Sequence, residues 1–229
     1  IAGRLTPSTG KVERGATVQI GYYDQLGRDL DLNQRVRDAV AGDKHEPTLD
    51  DVKLMRQFWF DGDAQFAPIS TLSGGEKQRL SIIRSLAHDP ALLILDEPVS
   101  ALDPVGRREF LRELIDNVIE RETTVVFSTH ILSDLERVAL DLAFLTKGTI
   151  ALQGGLDELL EHARRVSAPH ALLDGLRVAG ELSRVRNPDG TTQVVTRETD
   201  AALLALAARE PAMRIEALSL EDLFIAVTQ

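Results

Sequence analysis

Four apolar residues, Leu92-Leu93-Ile94-Leu95, run straight into Asp96 and Glu97. At the carboxyl end of a strand in a parallel sheet, side chains face the ligand crevice. Two carboxylates there can hold Mg²⁺ through water and polarise an attacking water. A solvated acidic pair ending a strand reads the same way, so the pair alone does not decide. Residues 72–79 read LSGGEKQR, a serine and two glycines directly before a predicted helix. Backbone N–H groups at a helix start, with glycines that let a ligand approach, form an anion site. Ser73 and Glu76 also have the spacing of an ordinary capping box. A plain cap needs no two consecutive glycines, and glycine costs helix stability, so the pair favours the anion site. His130 follows a β-branched run, whereas His45, His88, His162 and His170 have no chemical context.

The elements that must position these groups follow from period and punctuation. Residues 17–23 (TVQIGYY) read as a short strand ending at Asp24-Gln25. Residues 31–60 carry apolar residues at helical spacing, with Leu49, Val52, Leu54 and Met55 near one face and Thr48 as N-cap. Residues 74–87 predict a helix, 91–95 a buried strand, 107–121 a helix, 123–128 a strand and 132–140 a short helix. Residues 142–152 predict two strands turning at Lys147-Gly148. This alternation indicates an α/β domain with a buried parallel sheet. After Gly154-Gly155 the texture changes. A helix over 156–166, a turn at Asn187-Pro188-Asp189-Gly190, a strand at 192–196, a helix at 199–209, a strand at 213–218 and a helix at 219–227 make a small α+β appendage.

Composition narrows the class. In 229 residues, 43% are hydrophobic and 27% charged, which suits a folded chain rather than a disordered or membrane-embedded one. No run approaches the ~18 uninterrupted apolar residues of a bilayer span, and residues 1–15 lack the basic-then-apolar pattern of a secretory leader. The absence of cysteine excludes a disulfide scaffold and any thiolate metal site. The net charge of −10 argues against a nucleic-acid-binding surface.

Taken in order, LSGGEKQR, LLILDEP, SALD and STH resemble the nucleotide-binding domain of the ABC ATPase family. Ser73 lies 23 residues before Asp96, and Glu97 lies 33 before His130. The resemblance covers residues 1 to about 155 and implies a P-loop NTPase-like parallel-sheet core with an α-helical signature subdomain. On that reading residues 1–25 are a remnant of the core and 26–90 the signature subdomain. Residues 91–155 are the core with its Walker B, D-loop and H-loop segments, and 156–229 a C-terminal accessory region. The resemblance implies ATP and Mg²⁺ as cofactors. Asp96 is then the Walker B metal carboxylate, Glu97 the general base, His130 the switch histidine, and Gln25 the Q-loop residue sensing Mg²⁺ and water. Ser73, Gly74 and Gly75 match the signature contacting the γ-phosphate of ATP held by a partner domain. Ser100–Asp103 match the D-loop, with Asp103 at the nucleotide interface.

Two features depart from the family. No G-x-x-x-x-G-K-[ST] loop (Walker A) occurs in the 229 residues; the family places it upstream of the segment resembled by Ile1-Ala2-Gly3. Residue 1 is Ile rather than Met, which reads as a chain clipped at its start. Without that loop the triphosphate loses its amide cradle and its lysine, so this polypeptide alone is expected neither to bind ATP tightly nor to hydrolyse it. In addition, residues 11–79 look most like the soluble ABC-F branch, whereas residues 81–229, closing on SLEDLFIAVT, resemble exporter ATPases of the ABC-2 type.

The leading expectation is an ATP-binding subunit that energises export through a separate transmembrane permease. Two such domains would act as a head-to-tail dimer, cytoplasmic and peripheral to the inner face of the membrane, with no nucleic acid bound. Trp59, Phe58, Phe60 and Phe66 in the helical insert are either the permease-docking surface or a small core under the insert, the second reading suiting most of the rings in a chain with 4% aromatics. An ABC-F-type ribosome-associated ATPase is second. It would need tandem cassettes and a basic face, whereas acidic residues outnumber basic ones in 156–229. A non-catalytic docking or regulatory remnant is third.

Overall fold

The apolar run that ends in two acids is the middle strand of a parallel sheet. The computed structural model describes residues 3, 5–23 and 30–228 and divides into two compact units, residues 1–131 and 132–229. In the first, β1 (Ile20–Tyr23), β2 (Leu92–Asp96) and β3 (Thr124–Ser128) pair in the order β1-β2-β3, all parallel. The register sets Ile20 beside Leu92 and Asp96 beside Ser128. Leu93 and Leu95 of β2 are buried. Gly21 in β1 is held to glycine by packing, because a Cβ there would lie 2.9 Å from the Ser85 carbonyl oxygen.

Between β1 and β2 the chain is helical. It forms α1 (Val36–Ala41), α2 (Leu49–Gln57) and α3 (Gly74–Leu86), joined by 3₁₀ turns. Their shared core holds Val36, Val40, Leu54, Met55, Phe58, Phe60, Leu80 and Ile83, all buried. The aromatic cluster splits accordingly. Phe58 and Phe60 are core side chains, with the Phe58 ring tilted against Phe110 at 5.3 Å between centroids, while Trp59 and Phe66 stay 38% and 49% exposed. Leu49 is exposed on α2, but Thr48 caps that helix as expected, in a full capping box with Asp51. Helix α4 (Pro104–Glu120) starts three residues before its apolar period shows, at an Asp103 N-cap followed by proline, the preferred first helical residue.

In the second unit, α5 (Leu132–Val138) precedes a hairpin of β4 (Asp141–Thr146) and β5 (Thr149–Gly155). Lys147 and Gly148 both take positive φ at its turn, as a two-residue type I′ hairpin requires. After α6 (Leu156–His162) come β6 (Arg164–Pro169), the single turn α7 (His170–Leu173), β7 (Glu181–Arg186), β8 (Thr191–Thr196), α8 (Ala201–Arg209) and β9 (Arg214–Ala217), and α9 (Leu220–Thr228) closes the unit. The sheet order is β7-β8-β6-β9, antiparallel throughout, the order of a ferredoxin-like βαββαβ unit. One face packs Val166, Ala168, Val194, Leu203 and Met213. The other packs Val195 against Leu220 and Leu223 of α9 and Leu142, Phe144 and Leu152 of the hairpin. That shared core draws the hairpin into the second unit, so compactness breaks the chain at residue 131 whereas sequence texture changes at 155.

The sequence reading gave no strand at β6 or β7 and ran the helix at 156 on to 166. The helix ends at His162 because Ala163 takes an extended conformation and Arg164 enters the sheet.

A partly buried ion pair clamps the helical region. Lys44 Nζ donates to both carboxylate oxygens of Asp51, at 3.1 and 3.2 Å, and to the Ala87 carbonyl at 2.8 Å. Burial pushes the Asp51 carboxyl up, but the Thr48 amide, Lys44 and the Thr48 hydroxyl together hold it below its ordinary value. A carboxyl lowered in the folded state contributes stability in full above its unfolded pKa and loses it as pH falls through its folded one. Asp51→Asn is therefore expected to cost about 2 kcal/mol at neutral pH, with the gap to the parent closing in acid. Urea unfolding followed by the fluorescence of Trp59, the one tryptophan, checks both.

Candidate functional site

The parallel register of β2 and β3 assembles the site. Ser128, opposite Asp96, donates from Oγ to Asp96 Oδ1 at 2.6 Å, and the same hydroxyl accepts the Glu97 amide at 3.2 Å. The Glu97 amide also reaches the Ser128 carbonyl at 3.2 Å. Glu97 itself takes a φ of +49°, unusual for a non-glycine residue. Its Oε1 lies 2.9 Å from Nδ1 of His130, two residues past Ser128, while its Oε2 is buried without a hydrogen-bond partner among the described residues. The His130 side chain is 74% exposed and that of Glu97 18%. One carboxylate oxygen is thus fixed by the histidine, and the other is shielded from solvent without a partner among the described residues.

Ser73 is the N-cap of α3. Its Oγ accepts the Glu76 amide at 3.3 Å, and its own amide donates to Glu76 at 2.7 Å. The Ser73 hydroxyl beside it, and then the Ser73 amide, hold the Glu76 carboxyl below its usual range. Its two glycines have different reasons. A Cβ on Gly74 would meet nothing within 4 Å, so the helix start is open there, whereas one on Gly75 would lie 3.2 Å from Leu102. The capping box and the open N-terminus coexist. Asp103 places its carboxylate on the Val105 and Gly106 amides, at 3.0 and 3.1 Å. Those amides, Gly106 first, lower its pKa. In this chain its carboxylate starts α4. Gln25 lies outside the described residues.

Asp96, Glu97 and His130 therefore come together, and Ser73–Gly75 lies against the 100–103 segment through Leu102. Two residues with no assigned role join these parts. Ser128 ties the two carboxylates as described. Gln78, buried in α3, donates from Nε2 to the Glu97 carbonyl at 3.1 Å and to Ser100 Oγ at 3.4 Å, and accepts the Ala101 amide at 3.2 Å. Both stand inside quoted motifs, LSGGEKQR and STH. Aligning LLILD with TVVFS in parallel register would have put Ser128 beside Asp96, but nothing in the spacing announces Gln78.

No group of three or more His, Asp or Glu arranged to hold a metal occurs among the described residues. Asp96 alone, oriented by Ser128, suits a cation held largely through water and by a second ligand.

Residues 1–100 match the family model described as ABC transporter. The chain is 33% identical over 169 residues to an uncharacterized ABC transporter ATP-binding protein, YxlF, of Bacillus subtilis, covering 69% of this chain and 57% of that protein. It is 29% identical over 237 residues to an uncharacterized ABC transporter ATP-binding protein, BpOF4_11395, of Alkalihalophilus pseudofirmus, covering 97% of this chain and 88% of that one. The chain carries a nucleotide-binding domain of the ABC ATPase family. Its fold agrees with a solved ATP-binding subunit of an ABC transporter, at a TM-score of 0.52 and 22% identity over 62% of this chain and 61% of that one. A probable amino-acid import ATP-binding protein of Bacillus subtilis, YxeO, is also similar, at 35% identity over 66% of this chain and 61% of that protein. The chain thus spans less than two thirds of the length of YxlF and YxeO.

Gln78→Ala removes three hydrogen bonds and strands the Ala101 amide. The expected result is a loss of about 1–2 kcal/mol in the first unit and faster hydrogen exchange at Ala101 and its neighbours, with the second unit unchanged. Native-state exchange read by NMR checks this.

Proposed function

We propose that this chain is the ATP-binding subunit of an ABC transporter, using ATP binding and hydrolysis to drive export through a separate membrane permease. The observation that carries the reading is the Asp96–Glu97–Ser128–His130 group at the carboxyl end of β2. In this reading Asp96 holds Mg²⁺ through water. Bound Mg²⁺ would neutralise phosphate charge and align the triphosphate. Glu97 takes the proton of the attacking water on its carboxylate, which His130 orients, and His130 also reaches the γ-phosphate. Ser73, Gly74 and Gly75 offer backbone N–H groups to the ATP of a second, head-to-tail domain. Asp103 lies at that interface and Gln25 senses the metal. The ATPase core and signature subdomain fill residues 1–155, and the C-terminal region is accessory.

The partly exposed Trp59 and Phe66 support a permease-docking surface on the helical region, where Arg37 lies 4.8 Å over the Phe66 ring. No helix among the described residues is long and apolar enough to cross a membrane, so the reading needs a membrane partner, and the subunit would work at the inner membrane face. Export is supported by the resemblance of the closing SLEDLFIAVT segment to ABC-2-type ATPases. The import names of several relatives, YxeO among them, are the observation against it.

No phosphate-binding loop motif occurs in the 229 residues, so the chain alone is expected to show no Mg²⁺-dependent ATP turnover. Turnover should appear when the chain is preceded by a strand and a G-x-x-x-x-G-K-[ST] loop. In that form Glu97→Gln should lower the rate about 10²- to 10⁴-fold and trap an ATP-bound dimer. A Glu97→Gln protein that turned over at the parent rate would refute Glu97 as the base.

A further inference from the structure

The second unit presents two sheet edges, and they differ in how their charges are used. On β7, Arg184 is spent within the unit, on Glu181 and on the Leu173 and Leu176 carbonyls, and Arg186 pairs with Asp174. On β9, Arg214 and Glu216 are both exposed, and among the described residues neither side chain has a hydrogen-bond or ion-pair partner. Strand β9 pairs with β6 alone, so its outer N–H and C=O groups are free of backbone partners among the described residues. Natural edges are often blunted by inward-pointing charge, lysine, proline or a bulge. Here β9 has a regular register from Arg214 to Ala217 with no bulge, and Ile215 packs with the core of one face, which sends Arg214 and Glu216 to the other.

The triplet Arg214-Ile215-Glu216 is its own complement. In an antiparallel pairing centred on Ile215, Arg214 of one copy faces Glu216 of the other, and Glu216 faces Arg214, with the two isoleucines opposed on the reverse face. A two-fold axis through Ile215 satisfies both pairs at once, as an isologous interface requires, and opposite charges directly across strands stabilise such a pair. We propose that β9 is a dimerisation edge whose occupant is β9 of a second copy of this chain, joining two four-stranded sheets into one. None of its residues is among those of the proposed nucleotide site, and the proposal does not depend on the ATPase reading. If both hold, two cassettes would be kept at high effective concentration between ATP cycles.

The test is sedimentation velocity on the 229-residue chain without nucleotide, over a wide concentration series. A reversible monomer–dimer equilibrium is expected. Arg214→Glu alone or Glu216→Arg alone sets like charges across both pairs, and each should weaken dimerisation by about tenfold or more. The double variant, Arg214→Glu with Glu216→Arg, restores complementarity and should restore the dimer. Mixing the two single variants should also restore it as a heterodimer, which an unfolded variant could not do. A chain that stays monomeric, a dimer indifferent to the reversals, or open-ended growth from a β9-to-β7 contact each overturns the proposal.

Discussion

One register holds the site together, the pairing of Asp96 with Ser128 across β2 and β3. Because the strands are parallel, both end at the same rim of the sheet, and the residues just past each end, Glu97 and His130, meet there. A shift by one residue would turn the Leu93/Leu95 pattern inside out, so the burial that fixes the sheet also fixes the chemistry. The serine hydroxyl converts this alignment into orientation, binding the first acid while receiving the amide of the second.

Gln78 extends that order to the glycine turn. Its side-chain amide uses both ends, and all three of its partners lie in the 97–101 segment. Movement of α3 therefore cannot leave the Glu97 backbone undisturbed. This gives α3 a mechanical connection to Glu97 within one copy of the chain. Gly75 tightens the same junction from the other side, since Leu102 occupies the space a side chain would need.

Much of this was legible in the residues. Leu92–Leu95 read as a buried strand because apolar runs of that length bounded by proline and acids have few other uses. Ser73 with Glu76 and Thr48 before α2 read as caps because the donors at a helix start must be satisfied locally. Lys147-Gly148 read as a turn because the two-residue hairpin needs positive φ. The illegible parts are those whose signal is tertiary. β6 opens with two arginines and ends in proline, and only Val166 and Ala168 turn inward, too few to show a period. β7 lies at an edge and alternates weakly. Trp59 and Phe60 are neighbours in sequence, and only the three-dimensional fold decides which faces solvent. Gln78 is polar and buried because a loop 20 residues away needs its three hydrogen bonds, and no local pattern encodes such a demand.

The sheet of the second unit also sets an order of assembly. Its inner strand β6 is made first, yet its two neighbours, β8 and β9, are separated from it by intervening strands and helices. During synthesis β6 must wait with both edges open until β8 arrives, and it stays open on the other side until residues 214–217 have emerged. Closing loops of that length slows folding relative to local hairpins. The β4–β5 hairpin, by contrast, can form as soon as residue 155 is available. A nascent chain would thus pass through a stage with an ordered hairpin beside an unsatisfied strand, the interval in which a holdase would have most to protect.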